Sequence, residues 1–448
     1  MEIIQPMNIT KSKTLILCLP LLFFTMVPAS FSMNIVRNLT ESEADYTRGI
    51  VLPYILYNKK FEGTAGLIGG TTGYIQPQTR TAGSMLFSTN GSYMFSGIVS
   101  NIQPVPALPR LFLSPVFKFA WYDKNRLYRS GNPDYPDDIA GSNDSHEDNF
   151  IEGEGWGRFI RMEFKYLLPI GDARDRAVNC FVIDRGMLVS GAAGGKEYNP
   201  MTSGRTTVEM TPFYHYYSYD NKDMPRIKSS SNGVKLTLKY DNRDFYENPS
   251  RGSVTRFAYA RDFGLFDSSD TWTTVEFEFS KYISIPRADW MRQSVIALDF
   301  WTIDTPGWET REDASGGSYV IHRPPQELGA RLGGFYRLRA YPEYRFNSRA
   351  AIYYSAEYRF VPDWEPLDRS SWLGNILEWD YLQIAPFVEM GRVNENWDIT
   401  DLHSRMKWDA GIGLRAYMRK LTIRLDTAFS DEDASMVIWV LQPFQASF

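Results

Sequence analysis

Cysteine and histidine are nearly missing from this chain, which holds Cys18 and Cys180 and four histidines, His146, His215, His322 and His403. Cys18 falls in a stretch that reads as a removable leader. Cys180 is then alone, and an intramolecular disulfide framework is excluded. No two histidines stand at metal-ligand spacing, and neither H-E-x-x-H nor G-x-S-x-G occurs. The sequence therefore nominates no catalytic residue, metal ligand or cofactor, and the chain is expected not to be an enzyme. Positive charge is not in excess either. With 48 Lys and Arg against 53 Asp and Glu, the formal net charge of −5 leaves no basic footprint for nucleic acid. Beyond the N-terminus no apolar run is long enough for a membrane-spanning helix.

Aromatic side chains, by contrast, are plentiful: 27 Tyr, 28 Phe and 12 Trp make up 15% of the chain. Global disorder is incompatible with that share. These residues and the 33 glycines are spread along all 448 positions without a composition break, as expected for many aromatic-rich strands in one domain. At the N-terminus, Lys11 and Lys13 precede an apolar stretch over residues 15–27, followed by Ala29, Ser30 and Ser32. That order is the order of a secretory leader. The expected organisation is a signal peptide over 1–32, a short periplasmic segment over 33–48 and a barrel domain over 49–448.

The body of the chain alternates with a period of two. In residues 351–360, Ile352, Tyr354, Ala356, Tyr358 and Phe360 share one face, while Tyr353, Ser355, Glu357 and Arg359 share the other. In residues 407–418, Trp408, Ala410, Ile412, Leu414, Ala416 and Met418 oppose Lys407, Asp409 and Arg415. Leu421, Ile423 and Leu425 likewise alternate with Thr422, Arg424 and Asp426. This is the strand period. The segments run about ten to fourteen residues, long enough to cross a bilayer at a tilt, where a soluble sandwich would use about five or six. An apolar face toward lipid and a polar face toward a wet lumen account for the pattern, with backbone groups satisfied by barrel closure. The expected fold class is all-β, a transmembrane antiparallel barrel. Of sixteen or seventeen candidate strands, sixteen is preferred, because single-chain bacterial barrels favour even numbers. Two interruptions are long. Residues 123–155, rich in Asp, Gly and Asn, are expected to be a solvated loop rather than a calcium site; residues 305–349 separate two well-formed strands.

Three motifs and the last residue are similar to those of the BamA/TamA-type bacterial surface-antigen superfamily. Asp241-Asn242-Arg243-Asp244, followed by Pro249 and Gly252, resembles its strand-end and periplasmic-turn signature. Gly333-Gly334 leading to Arg339-Ala340-Tyr341 resembles its G-G…R-G-[YF] loop, with Ala340 where glycine is usual. Phe387-Val388-Glu389-Met390-Gly391 resembles its F-x-D-x-G strand motif, with Glu389 for Asp. Phe448 resembles the C-terminal signal read by the outer-membrane assembly machinery. The resemblance implies an outer-membrane barrel whose loop 305–349 folds from the extracellular side into the lumen, with Arg339 held by carboxylates of the next two strands. Alternation puts Glu357 and Glu389 on the polar faces of those strands. Too few residues precede position 49 for a periplasmic POTRA domain, so a barrel-only member is expected. Its implied role is insertion, assembly or translocation of proteins or envelope components, with outer-membrane lipids and other envelope proteins as partners. A passive, porin-like solute channel is the alternative.

Overall fold

A computed structural model describes residues 36–39, 48–58, 62–190, 192–222, 224–312, 318–334, 336–364, 379–418 and 421–440. The expected leader 1–32 and Phe448 lie outside them. One antiparallel sheet of sixteen strands dominates, with every strand hydrogen-bonded to its neighbours in chain order. The strands are β1 Arg48–Asn58, β2 Glu62–Thr72, β3 Arg80–Ser88, β4 Tyr93–Ser100, β5 Leu111–Leu127 and β6 Ile151–Leu167. They continue as β7 Arg205–Asn221, β8 Met224–Asp241, β9 Gly252–Asp262, β10 Trp272–Ser284 and β11 Met291–Asp304. The set ends with β12 Ala350–Pro362, β13 Trp379–Asn394, β14 Lys407–Met418, β15 Leu421–Phe429 and β16 Ala434–Val440.

Between residues 62 and 102 alternation alone places no strand with confidence, yet the structure puts three there. Ile68, Leu86 and Met94 are buried on the inner face while Leu67, Met85 and Phe95 are exposed on the outer one. Large apolar residues stand on both faces, with small polar ones such as Thr64, Ser84 and Ser96 between them on the inner face, so the period of two is blurred in the sequence. The acidic loop is shorter than expected, because β5 and β6 extend to Leu127 and from Ile151.

Around the outside runs an apolar belt that includes Val51, Phe117, Leu238, Phe257, Ile412 and Met436, all exposed. A continuous exposed apolar surface of this kind is what a barrel wall presents to hydrocarbon. Phe257, midway along β9 and paired with Leu238 and Phe277, tests it. Phe257→Arg is expected to cost about 2–4 kcal/mol of stability in a bilayer, read as a lower denaturant midpoint in lipid vesicles, with Phe257→Leu close to the parent. An unchanged midpoint for the arginine variant would contradict a hydrocarbon-facing β9.

Among the described residues β1 and β16 share no ladder. The two ends of the sheet meet by packing instead: Ile423 of β15 lies against the cluster formed by Tyr54, Ile68, Leu86 and Met94.

Both mouths are filled by the chain itself. At one rim, residues 305–349 carry the hairpin Glu309–Glu312 with Ser318–Ile321, a 3-10 turn at Gln326–Leu328, and the paired segments Ala330–Leu332 and Phe346–Ser348. At the opposite rim, the segment between β6 and β7 forms the hairpin Asn179–Asp184 with Met187–Ser190, and Val36–Leu39 adds to it in parallel. Phe181 there packs on Phe245 and Tyr246 of the β8–β9 turn, and Met187 packs on Val361, Tyr381 and Tyr417 of the wall.

Candidate functional site: a loop arginine held in the lumen

The loop 305–349 seats its apolar residues before its charges. Leu332, Leu338, Ala340, Tyr341 and Phe346 form one buried cluster with Trp301, Ile303, Tyr353, Phe387, Val393 and Ala428 of the wall. Burying side chains of this size contributes roughly 1.5–3 kcal/mol each, which offsets the entropy lost in ordering a long loop. Gly391 lies on the inner face of β13 because a Cβ there would stand 2.9 Å from Leu332 Cδ1 and from the Ile352 carbonyl. The loop turns on itself through Gly333 N–H donating to the Arg337 carbonyl (2.9 Å) and Gly334 N–H to that of Tyr341 (3.0 Å). Ala340, at the usual glycine position of the motif, needs no left-handed backbone. Leu338 and Tyr344 take that conformation instead, with φ of 55° and 61°.

This fold brings Arg339 to three carboxylates. Its Nε donates to Glu389 Oε1 (3.0 Å), its Nη2 to Glu357 Oε1 (2.9 Å) and its Nη1 to Asp426 Oδ2 (2.7 Å). Its backbone N–H donates to Glu389 Oε2 at 2.8 Å. The guanidinium carbon lies 3.5 Å from the Phe387 ring centroid. Arginine, Glu357, Glu389 and Asp426 are all about 1% exposed. Burial alone would lower the Arg339 guanidinium, but Glu389, Asp426 and Glu357 outweigh it and hold it well above its ordinary value.

Further groups complete the layer. Ala340 N–H donates to Asp409 Oδ2 (2.8 Å), Tyr353 Oη to Glu389 Oε1 (2.5 Å), and Ser435 Oγ to the Arg339 carbonyl. Glu357 is shared with Arg359 (2.7 Å) and Arg415 (2.8 Å). Tyr341 Oη donates to Asp431 Oδ1 at 2.7 Å, and Arg345 ties the loop to Glu432 (2.8 Å) and to Ser145 Oγ (2.8 Å). The arrangement braces one loop against β12, β13, β14 and β15 together.

The β8–β9 turn is built around its own charges. Arg243 grips Asp241 bidentately, Nε to Oδ1 at 2.9 Å and Nη2 to Oδ2 at 2.6 Å. Asp244 Oδ1 accepts the N–H groups of Phe245 (2.8 Å) and Ser250 (3.0 Å), and Pro249 is buried beside them. Gly252 has a φ of 102°, and a Cβ there would come within 2.0 Å of the Asn242 carbonyl, so only glycine closes the turn. The turn expected at the strand ends is present, but it folds inward as part of the stopper. Glu247 accepts from Arg80 Nη1 (2.6 Å) and Tyr417 Oη (2.5 Å), and Asn248 Oδ1 from Gln383 (3.0 Å).

No family model matches the sequence, and no curated protein does. Among solved structures, the chain is similar to CdiB from Escherichia coli over 93% of its own length and 67% of that chain, at 9% identity and a TM-score of 0.53. The chain has the CdiB barrel fold. It is also similar to BamA from Haemophilus ducreyi lacking POTRA domains 1–3 (94% and 76% covered, 11% identity, TM-score 0.47). CdiB from Acinetobacter baumannii matches over 88% and 59%, at 11% identity and a TM-score of 0.48. The fold is thus that of bacterial outer-membrane barrels, the class to which the sequence motifs pointed.

On this CdiB-like barrel, Asp409, Asp426, Tyr353 and Ser435 are the site residues that sequence reasoning did not single out. The signal for the first two was present, since both stand on polar faces of alternating segments. A second tether joins the loop to the wall: Glu327 Oε2 lies 2.6 Å from His215 Nε2 of β7. Burial alone would raise the Glu327 carboxyl, but the His215 charge and hydrogen bond, with Lys118 and Arg331, hold it well below the usual carboxylate range. A carboxyl depressed on folding stabilises the folded loop above the ordinary carboxylate range and loses that contribution as pH falls toward the depressed value. Glu327→Gln is therefore expected to speed proteolysis of the loop at pH 6 and to converge with the parent only in strong acid. Identical proteolysis at pH 6 would overturn this tether.

Proposed function

We propose that this chain is an integral outer-membrane barrel acting in outer-membrane biogenesis, in the insertion, assembly or translocation of proteins or other envelope components. The observation that carries the reading is Arg339, delivered by a folded-in loop to Glu357, Glu389 and Asp426 of the wall, within a barrel of CdiB fold. The resemblance to the BamA/TamA-type superfamily covers the same loop, strand and turn. The step from fold to activity is an analogy. The seam between β1 and β16 supports it physically: a strand edge without a ladder, as this one is among the described residues, offers backbone donors and acceptors that an incoming extended segment can pair with. The braced loop keeps the lumen side of β12–β15 rigid while the seam yields. In this reading the chain performs no catalytic step, membrane lipid covers the apolar belt, and other envelope proteins supply what periplasmic recruitment requires.

A passive solute channel fits the geometry less well, because both mouths are stoppered by packed, ion-paired segments. Two measurements separate the readings. Crosslinking in native outer membranes from a photoreactive residue at position 51 on β1 is expected to trap another envelope polypeptide, while planar bilayers are expected to show little steady conductance. A large ohmic conductance in the intact chain, unchanged when residues 305–349 are removed, together with no trapped polypeptide, would overturn the assembly role.

A further inference from the structure

Beneath the folded-in loop lies a cavity that the Arg339 layer does not use. Its volume is about 30 Å³, and it is partly open to solvent. That room accommodates about two or three waters, or one tetrahedral oxyanion. Phe213, Trp272, Trp301 and Ile303 make one wall apolar. Five cations also line it: Arg161, Lys235 and Arg256 from the barrel, and Arg331 and Arg337 from the loop, with Glu276 the one carboxylate among the lining residues.

These cations share the carboxylates around them. Glu276 is shared by Lys235 (2.7 Å) and Arg256 (3.3 Å), and Glu278 by Arg256 (2.8 Å) and Arg337 (3.1 Å). Glu163 is shared by Arg161 and Lys165, each at 2.8 Å. Arg331 donates to the carbonyls of Gln326 and Glu327. Glu209 and Asp299 stand nearby and take hydrogen bonds from Thr207 (3.1 Å) and Ser280 (2.7 Å). Two guanidinium donors, Arg256 Nη1 and Arg337 Nε, are buried without a hydrogen-bond partner among the described residues. Arg256 is only 4% exposed. Buried cationic donors without acceptors are costly, and both residues line this cavity, Arg256 from the wall and Arg337 from the loop.

The geometry points to a binding site for a phosphate group in this cavity, held between Arg256 of the wall and Arg337 of the loop and tying the two together. A tetrahedral oxyanion suits it better than a carboxylate, because donors approach from the wall and from the loop rather than in one plane. The group is either free inorganic phosphate or the phosphomonoester of a headgroup. The site is independent of the assembly role.

The test is titration of the detergent-purified barrel with inorganic phosphate and, in parallel, with sn-glycerol 3-phosphate, at constant ionic strength. The Arg337 guanidinium carbon lies 3.8 Å from the Trp301 ring centroid, so tryptophan fluorescence reports occupancy, with calorimetry as the second readout. Saturable binding of phosphate is expected, weakened at least about tenfold, the loss of one charge-assisted contact, in both Arg256→Gln and Arg337→Gln. Binding of inorganic phosphate alone identifies a free oxyanion, and binding of both identifies a headgroup-compatible site. Arg337 sits on the loop, so its variant remains informative if Arg256→Gln fails to fold. Absence of saturable binding of either compound to the parent protein, or equal affinity in folded Arg337→Gln, would overturn the proposal.

Discussion

Arg339→Ala is expected to destabilise the barrel by about 3–5 kcal/mol, the cost of leaving buried charges without their partner. The variant would leave buried Glu389 without its cation, Asp426 with only Arg424, and Glu357 with only Arg359 and Arg415. The apolar cluster of the loop would then have to hold residues 305–349 against mutual repulsion beneath it. The expected readout is a lower temperature for the heat-modifiable shift on gels and cleavage of the loop by trypsin. Arg339→Lys should fall between, because one ammonium cannot reach three carboxylates in the directions that a planar guanidinium fork does. Neutralising a partner in the same chain, as in Arg339→Ala with Glu389→Gln, should recover part of the loss. Unaltered migration and unaltered trypsin resistance in Arg339→Ala would remove the brace from the account of this protein.

Glu247→Ala should have an effect of similar size at the other rim. Glu247 is 5% exposed and accepts from Arg80, Tyr246 and Tyr417, joining the β8–β9 turn to β3 and β14. Its removal strands the Arg80 guanidinium, itself 6% exposed, at a cost of about 3–5 kcal/mol. Glu247→Gln retains acceptors and should cost less. The measurement is hydrogen exchange across residues 242–251 together with the thermal midpoint. If exchange there stays slow in Glu247→Ala, the inward fold of this turn rests on Phe245 and Tyr246 packing rather than on charge. Comparison of the two variants also tests independence: the sites lie at opposite mouths, and distant losses should add.

What could be seen in the sequence follows from what a strand does to its side chains. A two-residue period sends neighbours to opposite faces, so Glu357, Glu389, Asp409 and Asp426 each announce a polar face from local spacing alone. The same logic places the strands over 351–360 and 407–418 to within a residue or two. It fails from β2 to β4, where Ile68, Leu86 and Met94 put large apolar residues on the inner face as well as the outer. Nothing local marks the hairpin Asn179–Asp184 with Met187–Ser190 as a stopper, because its burial depends on Phe245, Tyr246 and Tyr381 from distant strands.

The amino-acid order by itself determined a long-stranded, all-β chain with one face for hydrocarbon and one for a lumen, and it carried the loop motif around Arg339. Those are properties of spacing and composition, which act over a few residues. Only the tertiary structure decided that four carboxylates from four strands meet that loop at Arg339 and Ala340, that both mouths are filled, and that β1 and β16 share no ladder among the described residues. Each of these depends on the curvature of a sixteen-strand sheet, which brings together groups as far apart as positions 80 and 247 or 339 and 426, and no local period encodes such distances.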